Sequence, residues 1–147
     1  MTDLAESIIG KWEDVVKFAR ADFAVAIEGD DWLGVQYSDS QEEPAPQKVR
    51  LQKFNALGQP YLAITADIFD QNVIPAELAL RINNELPIAA LEIEDGKYLL
   101  RATVPLQGLG QIYFRRLIVH VARQAEHMRR TLGKPGGASS PYSYCSE

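Results

Sequence analysis

"LPIAALEIEDGKYLLRATVPL", residues 86–106, is the stretch whose reading decides the fold. Apolar residues alternate on both sides of Glu94-Asp95-Gly96-Lys97. An Asp-Gly pair between alternating segments is the strongest short-range signal of a tight hairpin turn. Successive side chains of a strand point to opposite faces, so period-two alternation means a half-buried strand. The stretch therefore predicts strands over 88–94 and 97–104, bracketed by Pro87 and Pro105. It holds no nucleophile, metal ligand or cofactor anchor. Its construction serves architecture.

Upstream of the hairpin, Leu78, Ala79, Ile82 and Leu86 recur at helical spacing and predict a helix over about 75–85. Pro75 suits its first turn, where a missing N–H costs nothing, and Pro87 ends it. Before that helix, two strands are expected at Lys48–Phe54 and Tyr61–Asp67, joined by "NALGQP". Val49 and Leu51 alternate with Arg50 and Gln52, which gives one dry face and one wet face. "SDSQEEPAPQ", residues 38–47, is polar with two prolines and reads as a mobile surface loop. Another strand pair precedes it. Phe23, Val25 and Ile27 alternate, Gly29-Asp30-Asp31 turns, and Trp32 to Tyr37 run back.

Helices are expected at both ends of the chain. Asp3 and Glu6 form a D-x-x-E capping pattern before Leu4, Ile8, Trp12, Val15, Val16 and Ala19, predicting a helix over 3–20 that Gly10 weakens without ending. At the other end Phe114, Ile118, Val121, Ala125, Met128 and Leu132 step by four and three, an unbroken seam over 111–132. Ile112, Tyr113, Leu117 and Val119 lie off that seam, so this helix has apolar surface on more than one side. The order α-β-β-β(β)-α-β-β-α predicts an α+β fold, a mainly antiparallel sheet with helices packed on it. One domain, residues 1–132, is expected, with a Gly/Ser/Pro-rich disordered tail over 133–147.

Length and composition agree with one globular domain. The 147 residues are 46% hydrophobic and 24% charged, enough apolar material for a core without disulfides or metal. The sole cysteine, Cys145, falls in the tail and has no partner in the chain. No apolar run is long enough to span a bilayer. The first residues lack the basic and apolar regions of a signal peptide, so a cytoplasmic protein with no membrane contact is expected. The net charge of −5 is uneven. Residues 1–110 hold 9 Lys/Arg against 18 Asp/Glu, and residues 111–147 hold 6 against 2. The acidic bulk argues against nucleic acid as the main partner.

No constellation of catalytic residues emerges. His120 and His127 stand seven apart, whereas a helical metal pair is usually spaced three or four apart, so no metal site is expected. Asp67, Asp70 and Asn72 in "DIFDQN" lack the glycine and spacing of a calcium loop and read as turn and cap residues. No Ser sits in a nucleophile-elbow sequence. "QGLGQ", residues 107–111, places Gly108 and Gly110 at a helix start with Arg115 and Arg116 close behind, an arrangement that attracts anions. The complete phosphate-loop and dinucleotide-binding patterns are absent, and a strand-to-helix turn needs glycine in any case. Arg115, Arg116, Arg123, Arg129 and Arg130 make the last helix basic, which complements its dipole or docks an acidic surface.

Gly58, Pro60 and Leu62, then Arg81, Asn83, Leu86, Pro87, Ala90, Leu91, Leu100, Arg101, Pro105 and Leu106, carry a resemblance. Together they resemble the YbjN-like branch of the type III secretion chaperone-like superfamily, related to the Tir-chaperone class. In those sequences G-x-P-x-L in a strand pair precedes a helix ending near R-x-N-x-x-L-P, then a strand pair closing on P-L and a final helix. Ala89 departs from the glycine common there. The resemblance covers residues 3–132 and its motifs are structural. It implies a domain that is commonly homodimeric and non-enzymatic, in a fold whose secretion chaperones wrap an extended segment of a client protein; no cofactor is expected.

The sequence thus points first to a protein-binding module, a small dimeric chaperone or adaptor. Trp32, Tyr37, Ile112, Tyr113, Arg116 and Leu117 are its expected partner or dimer surface. The alternative is a sensor of a small or phosphorylated ligand, with Gly108, Gly110, Arg115 and Arg116 as the anion site.

Overall fold

A computed structural model describes residues 7–38 and 47–133. Its elements run β1 (Ile8–Ile9), α1 (Trp12–Asp22), β2 (Ala24–Glu28), β3 (Trp32–Tyr37), β4 (Gln47–Ala56) and β5 (Gln59–Asp70). They continue with α2 (Ala76–Asn83), β6 (Ala90–Glu94), β7 (Lys97–Pro105), β8 (Leu109–Gly110) and α3 (Gln111–Leu132). Six strands form one antiparallel sheet in the order β2-β3-β4-β5-β7-β6, and β1 pairs with β8 in a separate two-stranded ribbon. The fold is α+β, mostly sheet, in the expected order, with the two short strands added.

The hairpin of residues 86–106 forms as its turn chemistry demands. Asp95 (φ 54°) and Gly96 (φ 80°) both take positive φ, as a two-residue turn matched to the strand twist requires. Glu94 therefore pairs with Lys97, and Ala90 with Arg101. The β4–β5 hairpin uses the same device with Leu57 (φ 53°) and Gly58 (φ 76°). Leu57 is an uncommon residue for that conformation. Its side chain is 89% exposed and buries no apolar surface in return.

Alternation sorts the sheet into two unlike faces. Leu33, Val35, Val49, Leu51, Leu62, Ile64, Leu100 and Ala102 are buried and join one apolar cluster with residues of all three helices. The α3 seam lies against β4, β5 and β7. Phe114, Ile118, Val121, Ala125 and Met128 are fully buried there. Burying a side chain of that size contributes about 1.5–3 kcal/mol, so this contact dominates the core. Trp12, Val15 and Ala19 of α1 complete the layer.

The N-terminal helix departs from expectation. It starts at Trp12, and Ile8 and Ile9 are strand. The residues 7–9 segment has a non-local partner that local periodicity does not show. Ile8 pairs with Gly110 and Ile9 with Leu109, and the Gln111 N–H donates to the Ser7 carbonyl at 2.8 Å. Gly10 thus precedes the helix, and its N–H donates to Asp14 Oδ2 at 3.1 Å, which gives an exposed donor a partner. The D-x-x-E pattern at Asp3 and Glu6 lies outside the described residues. The same holds for residues 39–46 of the expected loop and 134–147 of the expected tail. Gln47 belongs to β4 rather than to the loop.

Helix α2 is tied to the sheet edge by one side chain. Asn83 Nδ2 donates to the Leu91 carbonyl at 3.2 Å, and the Leu91 N–H donates to Asn83 Oδ1 at 2.7 Å. The amide so imitates a neighbouring strand and occupies part of the free edge of β6. Before α2, the Tyr98 hydroxyl donates to the Ile74 carbonyl at 3.0 Å in the core. Burial holds the Tyr98 phenol above its ordinary value of 10.0.

Two outcomes follow from these contacts. Asn83→Ala is expected to lower the unfolding free energy by about 1–2 kcal/mol, because two backbone partners lose their bonds; urea melts measure it. Tyr98→Phe should cost a similar amount near pH 7 by leaving the Ile74 carbonyl unsatisfied. The raised phenol also sets a sign. The unfolded chain releases the Tyr98 proton at lower pH than the folded one, so this contribution is complete below pH 10 and is lost as pH rises past it. As pH rises past 10 wild type should therefore lose more stability than Tyr98→Phe.

Candidate functional site

The described helices cover one face of the six-stranded sheet, and the other face carries a concavity. Six residues in continuous register cross it: Ile27, Gly34, Arg50, Thr65, Arg101 and Ala90, one from each strand. The neighbouring row is Trp32, Gln52, Ala63 and Thr103. All of these but Ala90 and Thr103 line a groove of about 920 Å³ that reaches from Ile27 in β2 to Glu94 in β6.

Small residues make the groove deep. Gly34 lies in mid-strand, where glycine usually weakens a sheet. A Cβ built on it meets no atom within 4 Å, so the space above it is open. Thr65 and Ala63 keep the adjacent floor low. On one side the Trp32 indole stands directly over Gly29, where an added Cβ would fall 2.0 Å from the ring nitrogen. Arg50 in turn lies over the Trp32 ring, 5.0 Å from guanidinium carbon to centroid, a favourable cation–π distance. On the other side Arg101 Nε donates to Glu92 Oε1 at 2.9 Å, which fixes the guanidinium and leaves its terminal nitrogens for another partner.

At the far end the sheet opens. Pairing of β4 with β5 stops at Arg50–Thr65, although Gln47–Val49 and Ala66–Asp70 continue as strand. Arg129 of α3 spans this gap, donating to the Asp67 carbonyl at 3.3 Å and to the Gln47 side chain. Arg130 and Glu126, which pair at 3.8 Å, line the same end. The basic residues late in α3 therefore act as sheet clamps as well as dipole partners.

The residues expected as one contact surface are not brought together. Trp32 walls the groove. Tyr37 lies on the opposite sheet face, edge-on to Phe23 at 6.4 Å and under Arg123 at 6.0 Å. Ile112 and Tyr113 are 56% and 47% exposed at the start of α3, near the exposed Ile8 and on the same helix as the exposed Arg116. Leu117 is a correction. It is 1% exposed and belongs to the core, because α3 packs with a stripe wider than its single seam.

The anion arrangement at residues 107–116 is partly occupied. Gly108 turns the chain with φ 79° and Gly110 caps α3. The first helical N–H, that of Gln111, is spent on the Ser7 carbonyl. Arg115 and Arg116 are exposed on the helix beyond. His120 Nε2 is buried without a hydrogen-bond partner, and among the described residues no three His, Cys, Asp or Glu side chains gather as a metal site. No described helix is long and apolar enough to cross a membrane.

Sequence reasoning missed Gly34, Thr65 and Arg101 as members of one site. The signal present was the wet alternation of Arg50 and Gln52; the cross-strand register that aligns the others is tertiary. Gly29→Ala tests the wall of the groove. It is expected to displace the Trp32 indole and shift its fluorescence while α-helical circular dichroism is unchanged, since Trp12 is buried on the other side of the sheet.

In comparison with known proteins, no family model and no curated protein matches the sequence.

Proposed function

We propose that this protein is a non-enzymatic protein-binding module, a small dimeric chaperone or adaptor of the cytoplasm, as its resemblance to YbjN-like and secretion-chaperone sequences implies. The observation that supports it is the groove on the face of the six-stranded sheet that no described helix covers. Its groove sets Ile27 and the Trp32 indole beside arginines within a largely polar lining, and aromatic residues and arginine are the types enriched where proteins meet. A second copy is expected at the opposite end of the fold, where Ile8 and Ile112 are both more than half exposed beside the β1–β8 ribbon.

Two measurements test this reading. Light scattering should give a dimer that Ile112→Asp converts to a folded monomer. Leu117→Asp is unsuitable for the purpose, because it would place a charge in the core. Selection from a random dodecapeptide library on immobilised protein should enrich a consensus. A monomeric wild type together with no enrichment would sink the proposal.

A further inference from the structure

The groove carries a more specific inference, which rests on the protein-binding reading and names the chemistry of the partner. We propose that an acidic, extended polypeptide segment lies across the open sheet face, with its carboxylates held by Arg50 and Arg101 above Thr65.

Charge is the first argument. The chain as a whole is acidic at −5, yet the central row of the groove holds two arginines and no carboxylate. They stand on strands two apart, so their backbones are about 10 Å from one another. Among the described residues Arg50 forms no ion pair, and its ring contact with Trp32 holds the guanidinium without neutralising it. Arg101 is braced by Glu92 through Nε alone. Such fixed, planar donors suit carboxylates, which accept two parallel N–H bonds. Three carboxylates also line the groove outside this row: Asp67, two residues along β5 from Thr65, Glu94 at the β6 edge, and Glu126, which is paired with Arg130.

Shape is the second argument. The groove is lined by residues of all six strands, from Ile27 to Glu94. Five strand spacings are about 24 Å, the length of roughly seven extended residues. A single small anion would occupy only the arginine row and leave the apolar end at Ile27 and Trp32 empty. The void over Gly34 sits beside the arginines, where a peptide side chain or backbone would pass.

Gly34 also supplies the decisive variant. Its φ is ordinary and nothing crowds its Cβ position, so Gly34→Phe should fill the groove in a folded protein, aromatic residues being favoured in strands. Gly34→Val serves the same purpose if Phe disturbs folding. The probe is a fluorescein-labelled decapeptide of alternating glutamate and valine, with a lysine-for-glutamate twin, followed by fluorescence anisotropy. Wild type should bind the acidic peptide at least tenfold more tightly than its twin, and 1 M NaCl should weaken binding several-fold. Arg50→Gln, Arg101→Gln and Gly34→Phe should each weaken it at least fivefold without lowering the melting temperature by more than a few degrees. Lys17→Gln, exposed on α1 and outside the groove lining, should leave it unchanged.

Equal binding of the two peptides, no binding of the acidic one, or binding unaffected by Gly34→Phe would overturn the proposal. Displacement of the peptide by millimolar inorganic phosphate would overturn it as well, in favour of a small-anion site. Library-selected peptides that keep their affinity in Gly34→Phe would leave protein binding standing and remove this groove as its place.

Discussion

Burial of α3 against β4, β5 and β7 is the contact on which the rest of the structure depends. It unites the C-terminal seam with one face of the sheet, and the side chains it buries come from every part of the chain. Truncating a single large residue there, such as Phe114, removes packing worth about 3–5 kcal/mol, a large part of the net stability of a domain this size. Because the three described helices all contribute to the core on one sheet face, the same contact decides which face carries the groove. The candidate site is the geometric complement of the core.

Polar side chains settle the places where packing alone is ambiguous. Asn83 closes part of the β6 edge by substituting for a strand. Arg129 bridges the gap where β4 and β5 stop pairing, and Asp14 and Ser7 accept bonds from backbone donors at helix starts. These are residues whose chemistry invites functional interpretation in a bare sequence. Their hydrogen bonds assign them to architecture. Arg50 differs: among the described residues it forms no ion pair, it lies over an aromatic face, and it lines the groove.

Legibility in the sequence followed the range of the interactions. The final helix and the Asp-Gly hairpin depend on contacts between near neighbours in the chain, and both lie where periodicity and turn chemistry place them. The segment at residues 7–10 does not, because its partners are Leu109 and Gly110, a hundred positions away. Leu117 was misplaced for a related reason. A seam counted at one residue per turn underestimates the width of a helix face laid on a sheet, which takes in flanking positions too. Trp32 was expected at a partner or dimer surface, but its support on Gly29 and its contact with Arg50 required the folded turn.

By itself the sequence determined the α+β class, the hairpins, the seam of α3 and the alternation that gives each strand a wet and a dry side. Those properties follow from backbone dihedral preferences and apolar spacing, which act over a few residues. Only the tertiary structure decided that β5 pairs with β7 and that Gly34, Arg50, Thr65 and Arg101 fall in one row. The tertiary fold also put the described helices on one sheet face only and placed Tyr37 away from Trp32. Strand order and cross-strand register are fixed by which apolar faces meet in the core, and residues on the open face are aligned as a consequence of that packing.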